Sequence, residues 1–328
     1  MTIKNRDNYF DNLRGFLILC VIIGNSLEYV NPTAVNPHFF ILFLYMFHMP
    51  LFTFISGYFC KKSTRTTQAK VIDILKIYIS AEIFYLLFEL IILKRDVNID
   101  LLRPKWTLWY LFALIFWYII SDYLHNYKKA LIISIFLSLI IGFDTTFSSY
   151  ASSSRIVFFL PFFIGGLLFE KNKFIEKFAK HKSLIGVSVL VVLAVLYVIR
   201  DITSVDLLFE YSNYTFFTSE PWYHFFVRIF HYIGGFLICT FMLLVFPSKK
   251  TSLSWIGQNS LILYVSHAAV IYLLTLTPVL RYNNIIELIV SESIIVSVLI
   301  LLTYLYTKLK AAILSLESNW HENNIELD

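Results

Sequence analysis

The amino-acid sequence predicts an all-α fold, a polytopic transmembrane helix bundle of about ten spans with both termini cytoplasmic. Composition is the first reason: 58% of the 328 residues are hydrophobic and 15% are charged, whereas a soluble domain has roughly 45–50% and 25%. The second is that apolar residues recur in stretches of about 20, the length that crosses a bilayer as a helix. The third is that Lys and Arg concentrate in alternate connections between these stretches, as membrane orientation requires.

The predicted spans follow one another with mostly short connections. The first contains an arginine and no small-residue cleavage site follows it, so we expect it to remain as a span and not to be removed as a signal peptide. Two connections stand out, the polar residues 144–154 and the long aromatic residues 201–224. Neither can hold a second folded domain, so we expect one transmembrane domain over residues 1–328. The spans lie near residues 11–31, 38–60, 71–93, 106–123, 130–143, 155–169, 184–200, 225–247, 253–276 and 285–308.

Charge and cysteine usage argue against other classes of protein. The formal charge of +5 comes largely from lysines in short connections, where membrane orientation explains them, so no nucleic-acid partner is expected. Cys20, Cys60 and Cys239 lie in apolar stretches without paired or metal-like spacing, and we interpret them as small core residues. No metal site is predicted, and membrane lipids are the expected surroundings.

The first predicted helix carries a polar stripe. Asp11, Arg14, Asn25 and Glu28 fall within roughly a 100° arc of one helix face. Ionisable groups inside a span are costly and usually face the bundle interior, so these residues are expected to line one inward cavity. Arg14 and Asn25 are roughly 16 Å apart along the helix axis, about half of the hydrocarbon thickness. Arg14 has an alternative interpretation, in which it only reaches the interface and pairs with Asp11.

Five segments together resemble a known family. They are "RDNYFDNLRGFLILCVIIGNSLEYV" at the first helix, "FHMPLFTFISGY" from Phe47, "KWTLWYLFAL" from Lys105, "RIVFFLPFFIGG" from Arg155 and "GQNSLILYVSH", which ends at His267. Their order and spacing are similar to those of the acyltransferase 3 family of membrane acyltransferases, in particular its fucose 4-O-acetylase-like branch. That family is marked by an arginine, ten residues and a histidine. Arg14 matches the arginine, but Asn25 stands where the family has the histidine.

The resemblance implies a function. It implies a multi-pass protein of the bacterial cell (plasma) membrane that moves an acyl group from cytosolic acyl-CoA, with acetyl-CoA as co-substrate, to a cell-envelope or exported glycan. The glycan is then the acceptor partner, and any onward transfer would need a separate extracytoplasmic transferase. The implied catalytic residues are Arg14, Asn25 and Glu28, with Glu28 one turn from the position of the family base.

Asparagine cannot serve as the family base. Its amide donates and accepts hydrogen bonds but does not accept a proton at usable pH, so the reaction is expected to be impaired in the chain as written. The sequence leaves open whether Asn25 is an introduced substitution or a natural variant, and the intact surrounding motifs favour an introduced one.

Several residues are candidates for holding the coenzyme and the reacting group. Acyl transfer needs a base, donors for the oxyanion and positive charge for the coenzyme phosphates. Lys61, Lys62 and Arg65 are a looser phosphate attractor or only an orientation signal. His48 and His267 are candidate substitute bases or hydrogen-bonded core residues, and His224 and His231 are weaker candidates. The binding candidates are Arg14, Arg155, His48, Ser56, Tyr264 and His267.

Two alternatives stay open at this point. The aromatic connection holds Tyr211, Tyr214, Trp222 and Tyr223, which either stack on sugar rings or form an interfacial aromatic belt. The whole chain has a second interpretation as a transporter or flippase of a glycan or small metabolite. The sequence shows no internal repeat, which secondary transporters often have, and this disfavours the transporter.

Overall fold

The computed structural model describes residues 7–30, 32, 34–97, 99–146, 150–217 and 220–325, with side chains as far as Ser315. Most of these residues are helical, and no strand occurs among them. Position 31 at the end of the first predicted span, and parts of the connections 144–154 and 201–224, lie outside the described residues. The α-helices are α1 Asn8–Val30, α2 His38–Lys62, α3 Thr67–Leu87, α4 Trp109–Tyr123, α5 Tyr127–Ile141, α6 Ser153–Leu168, α7 Lys171–Phe178, α8 Lys182–Ile199, α9 Val205–Phe209, α10 Tyr214–Phe217, α11 Pro221–Val245, α12 Ser252–Gln258, α13 Ser260–Thr275 and α14 Ile285–Ile325.

The described residues contain six helical segments long and apolar enough to cross a membrane, namely α1, α2, α6, the segment Lys171–Ile202 that includes α7 and α8, α11 and α14. The pair α12 and α13 makes seven if it counts as one span, and α4 is a shorter apolar helix. The prediction of an all-α bundle with several membrane-spanning helices is therefore confirmed. The count of ten, the single domain and the cytoplasmic termini stay predictions.

The predicted span over residues 253–276 is broken in two. Helices α12 and α13 meet at Asn259 with an 80° bend. Helix α12 begins with its own capping box, in which Thr251 and Ser254 exchange side chain-to-backbone bonds. Because Ser254 Oγ also donates to Asn12 Oδ1 on α1 at 2.6 Å, α12 is fixed across α1 and α13 continues in a different direction.

Glycines allow two pairs of helices to pack at backbone contact. A Cβ on Gly257 of α12 would meet the Asp11 carbonyl of α1, and one on Gly15 of α1 would meet the Leu253 carbonyl. A Cβ on Gly166 of α6 would meet the Phe54 carbonyl of α2. Small residues at such contacts are the usual means of close helix packing in membranes. The two contacts fix α1 and α2, the helices that carry most of the site.

Candidate functional site

A row of four cavities lies among the described residues, beginning at the lysine- and arginine-rich end of α2 and α3. The first, the basic cavity, has a volume of about 560 Å³ and is lined by Asp11, Arg14, Lys62, Arg65 and Lys70 together with aromatic side chains. Lys61, which was grouped with Lys62 and Arg65 in the sequence, is exposed and does not line it. Arg14, Lys62, Arg65 and Lys70 outnumber the two carboxylates of the lining, Asp7 and Asp11, so the cavity is suitable for an anionic ligand.

The second cavity, the apolar cavity, continues from the first. It has a volume of about 220 Å³ and shares Arg14, Phe59 and Tyr118 with the basic cavity. Its walls are mainly aliphatic and aromatic. Ser56 and Tyr264, two predicted binding residues, also line it.

The third cavity, the polar cavity, holds the remaining part of the polar stripe. It has a volume of about 190 Å³ and is separated from the apolar cavity by Val21, Met49 and Tyr264, which line both. Its polar lining comes from four different helices and the connection before α4. These residues are Asn25, Glu28, Tyr45, His48, Thr107, Arg155 and Tyr264.

The fourth cavity, the acidic cavity, lies at the far end of the row. It has a volume of about 540 Å³, is lined by Glu28, His38, Asp201 and Asp206, and shares Glu28 and Phe209 with the polar cavity. The stripe on α1 therefore faces the interior as predicted, but it lines a row of cavities and not one. The reason is that the side chains of Met49 on α2, Tyr264 on α13 and Phe209 on α9 divide the interior.

Arg14 both lines the row and pairs with its neighbour. Its Nη2 lies 2.5 Å from Asp11 Oδ1, and Gln258 Nε2 donates to Asp11 Oδ2 at 3.0 Å. The guanidinium also lies 5.0 Å from the Phe59 ring centroid, and the side chain is 28% exposed. The pairing that the sequence offered as an alternative thus coexists with access to the basic and apolar cavities.

Asn25 is held by three helices. Its Nδ2 donates to the Val21 carbonyl at 2.9 Å and lies 3.4 Å from His267 Nε2. The hydroxyl of Tyr45 donates to Glu28 Oε2 at 3.1 Å and lies 3.5 Å from Asn25 Oδ1. Sequence reasoning missed Tyr45, although its position three residues before His48 on α2 places both on one helix face.

Arg155 lies on the opposite wall of the polar cavity. Its Nε donates to the Phe209 carbonyl at 3.0 Å, and its guanidinium lies 4.7 Å from the Trp109 ring and 5.5 Å from that of Tyr211. It also interacts electrostatically with Glu28 and Tyr45. The arrangement brings a cation close to Glu28 and Asn25, while Arg14 stands at the other end of the apolar cavity.

The two inward histidines differ in access. His48 Nδ1 lies 2.6 Å from the Leu44 carbonyl and His267 Nδ1 lies 2.7 Å from the Tyr264 carbonyl. His48 lines the polar cavity, whereas His267 lines none of the four cavities and contacts Asn25 from behind. The predicted residues Ser56 and Tyr264 are themselves bonded, Ser56 to the Tyr110 hydroxyl at 2.6 Å and Tyr264 to the Thr107 carbonyl.

Comparison with known proteins identifies the family of the chain. The family model described as "Acyltransferase domain" (Acyl_transf_3) matches residues 7–307. The chain belongs to the acyltransferase 3 family. The match does not single out the fucose 4-O-acetylase-like branch, which stays a prediction.

Curated relatives of this acyltransferase match it over a short stretch. "Nodulation protein NolL" of Mesorhizobium japonicum is 47% identical over 60 residues, which are 17% of this chain and 16% of the relative. "Nodulation protein NolL" of Sinorhizobium fredii is 43% identical over 60 residues, with the same shares. The match thus spans about a sixth of the length of these relatives. No solved structure matches the chain.

A buried ionic cluster lies next to the polar cavity, and sequence reasoning missed its centre. Glu210 is fully buried and accepts from Arg228 Nε at 2.7 Å, while His231 Nδ1 lies 3.4 Å and His224 Nε2 3.8 Å from its carboxylate. Burial alone would raise the pKa of Glu210, but Arg228 and the two histidines hold it below its ordinary value. The cluster fixes the turn that follows Phe209, the residue that bonds Arg155.

One aromatic residue is in a different place from that expected. Tyr214 was a candidate for stacking on sugar rings, but it is fully buried, donates to the Leu139 carbonyl at 2.8 Å and lies 4.7 Å from the Arg228 guanidinium. Trp222 is exposed, and Tyr211 is half-buried beside Arg155. Among the described residues, no group of three or more His, Cys, Asp or Glu has the arrangement of a metal site, and the absence of a metal cofactor stays a prediction.

Proposed function

We propose that this acyltransferase transfers an acyl group, an acetyl group in the first instance, from coenzyme A to a hydroxyl of a glycan. The observation that carries the proposal is that Arg14 and Asn25 line successive cavities of one row, with cations at one end and carboxylates at the other. Two chemically different substrates entering from opposite ends would meet at the polar cavity.

The donor is acyl-CoA, with acetyl-CoA as the co-substrate. Its phosphates are anionic and fit the basic cavity, where Arg14 and Lys62 offer charge-assisted hydrogen bonds. The thin, mainly uncharged pantetheine arm fits the apolar cavity, which is narrow and leads past Met49 towards Asn25. The thioester would then lie beside Tyr264 and Arg155.

The acceptor is a glycan that enters through the acidic cavity. Carboxylates such as Glu28 and Asp206 accept hydrogen bonds from sugar hydroxyls. The family places the protein in a membrane, and we propose the bacterial plasma membrane, with a cell-envelope or exported polysaccharide unit as acceptor and a separate extracytoplasmic transferase for onward transfer. A flippase or transporter would also need a row of cavities, but it would show no saturable stabilisation by the coenzyme.

Chemistry at the polar cavity requires a proton acceptor and a site for the oxyanion. Arg155 supplies positive charge near the position of the thioester carbonyl. Glu28 would orient and stabilise a histidine at position 25, but Asn25 accepts no proton. We therefore propose that acyl transfer by the chain with Asn25 is weakened, although its substrate sites are present.

The substitution Asn25→His tests the proposal. A general base contributes about 10² to 10⁴ in rate, so we expect Asn25→His to raise acetyl transfer about 100-fold. The measurement is transfer of labelled acetyl from acetyl-CoA to a panel of neutral, amino and acidic sugars by the purified full chain.

Asn25→Gln is the matched control for this experiment, because it keeps an amide at the position and should bring no gain. If the histidine form transfers no more acetyl than the chain as written to any of these acceptors, the proposed function is wrong.

A further inference from the structure

His48 is a buried residue that lines the polar cavity, and one of its two ring nitrogens is engaged in a hydrogen bond. A carbonyl oxygen only accepts, so the 2.6 Å contact with the Leu44 carbonyl requires the proton on Nδ1. The Nε2 atom then carries the lone pair. It makes no hydrogen bond within the described part of the chain, and the ring lines the polar cavity together with Asn25, Glu28 and Arg155.

The other candidate bases are hydrogen-bonded or lie away from this cavity. His267 has the same Nδ1 arrangement, but its Nε2 accepts from the Asn25 amide at 3.4 Å. The Glu28 carboxylate accepts from Tyr45 at 3.1 Å and interacts with Arg155. His224 and His231 surround Glu210 and line none of the four cavities. The features that distinguish His48 are that its ring lines the polar cavity and that its Nε2 makes no hydrogen bond within the described part of the chain.

We propose that His48 is the general base for the acyl transfer that the Asn25 form retains. The inference rests on the proposed function, which supplies the reaction, and adds a catalytic residue that neither the family match nor its arginine–histidine pattern indicates.

The step is a single acyl transfer with the proton returned to the leaving group. His48 Nε2 takes the proton of the acceptor hydroxyl as the hydroxyl oxygen bonds to the thioester carbonyl carbon. Arg155 stabilises the negative charge that develops on the carbonyl oxygen. The carbon–sulfur bond then breaks, the coenzyme leaves as thiolate, and it takes the proton from the His48 imidazolium. The products are the ester, free coenzyme A thiol and neutral His48.

The experiment uses the acceptor that the Asn25→His form identifies. Turnover of the chain as written is compared with that of His48→Gln, and of His48→Ala with and without added imidazole. We expect His48→Gln to reduce transfer at least 50-fold and imidazole to restore part of the turnover of His48→Ala. A purely structural role would give no rescue by imidazole. His125→Gln, in an exposed connection, is the control and should leave turnover unchanged.

A second set of variants, made with Asn25→His, distinguishes an effect of His48→Gln on folding from an effect on the reaction. With Asn25→His present, the base is at position 25, so adding His48→Gln should cost less than tenfold. An equal loss in both backgrounds would show a structural role and overturn the assignment. It is also overturned if Asn25→His transfers acetyl and the chain as written does not, although the proposed function then survives. If neither the Asn25→His form nor the chain as written transfers acetyl, the assignment of His48 and the proposed function are both wrong.

Discussion

Arg14 shows how a charged side chain within a membrane span can be stabilised and still be accessible to a ligand. An arginine within a span costs about 2.5–3.5 kcal/mol on insertion scales, and here Asp11 at 2.5 Å and the Phe59 ring at 5.0 Å offset that cost. The side chain keeps 28% of its surface exposed, at the boundary of the basic and apolar cavities. It is therefore stabilised without being closed off from a ligand.

Removing this charge should weaken coenzyme binding. A hydrogen bond to a charged group is worth about 1.5–3 kcal/mol, so we expect Arg14→Ala to raise the dissociation constant for acetyl-CoA about 10- to 100-fold. The measurement is the rise in melting temperature with coenzyme concentration. Arg95→Ala, an exposed arginine in the connection after α3, should bind as the unaltered chain does. Unchanged stabilisation of Arg14→Ala by acetyl-CoA would contradict its role at the phosphates.

Individual residues also show the limit of sequence reasoning. Arg14, Asn25 and Glu28 were predicted to share a face because helix period alone decides it. The bond from Tyr45 to Glu28 depends on how α1 and α2 pack, and the difference between His48 and His267 depends on which nitrogen meets a carbonyl. These are tertiary contacts, which no local pattern contains.

At the scale of helices, the apolar runs predicted correctly that helices occur, but they did not predict where a helix is broken. Helix α7 was not predicted because it is short and polar. The bend at Asn259 was not predicted because residues 253–276 were interpreted as one apolar run in spite of the polar residues 258–260. The capping pair of Thr251 and Ser254 was a readable signal for a second helix start. The sequence did not predict the packing role of the glycines, because their contacts with a neighbouring backbone depend on the tertiary structure.

The contact between α2 and α6 gives a sharp test with neighbouring residues. Gly166→Ala would push a methyl group into the Phe54 carbonyl, whereas at Gly165 a Cβ meets only the side-chain rings of Phe54 at 3.4 Å and Phe236 at 3.6 Å. Overpacking costs about 1–3 kcal/mol. We therefore expect Gly166→Ala to lower the melting temperature of the purified chain clearly more than Gly165→Ala. Equal melting temperatures for the two variants would contradict the close packing.

Across the whole molecule, the row of cavities changes from basic at one end to acidic at the other. The sequence predicted a basic end because lysines cluster along the chain, but it did not predict the acidic cavity. Glu28 belongs to α1 and Asp206 to α9, and only the fold brings them to one cavity. The direct route between the two ends passes Met49 and Val21, which line both the apolar and the polar cavities.

Blocking that route should separate binding from transfer. We expect Met49→Trp to fill the passage and reduce acetyl transfer at least 10-fold, measured in the Asn25→His background. Adenosine 3′,5′-bisphosphate, which lacks the pantetheine arm, should stabilise this variant as well as its parent because the basic cavity is unchanged.

Ile132→Trp, on the exposed face of α5, adds the same ring elsewhere and should transfer normally. Full transfer by Met49→Trp would show that the acyl group takes another path.

The turn at Glu210 carries a consequence for how this protein varies. Its φ of 54° lies in the left-handed region, where the backbone alone would favour glycine. A glycine there would relax the main chain but leave the Arg228 guanidinium without its counterion inside the protein, at a cost of about 3–5 kcal/mol. Substitutions at positions 210 and 228 are therefore coupled, and we expect variants of this protein to change both residues together or to keep both.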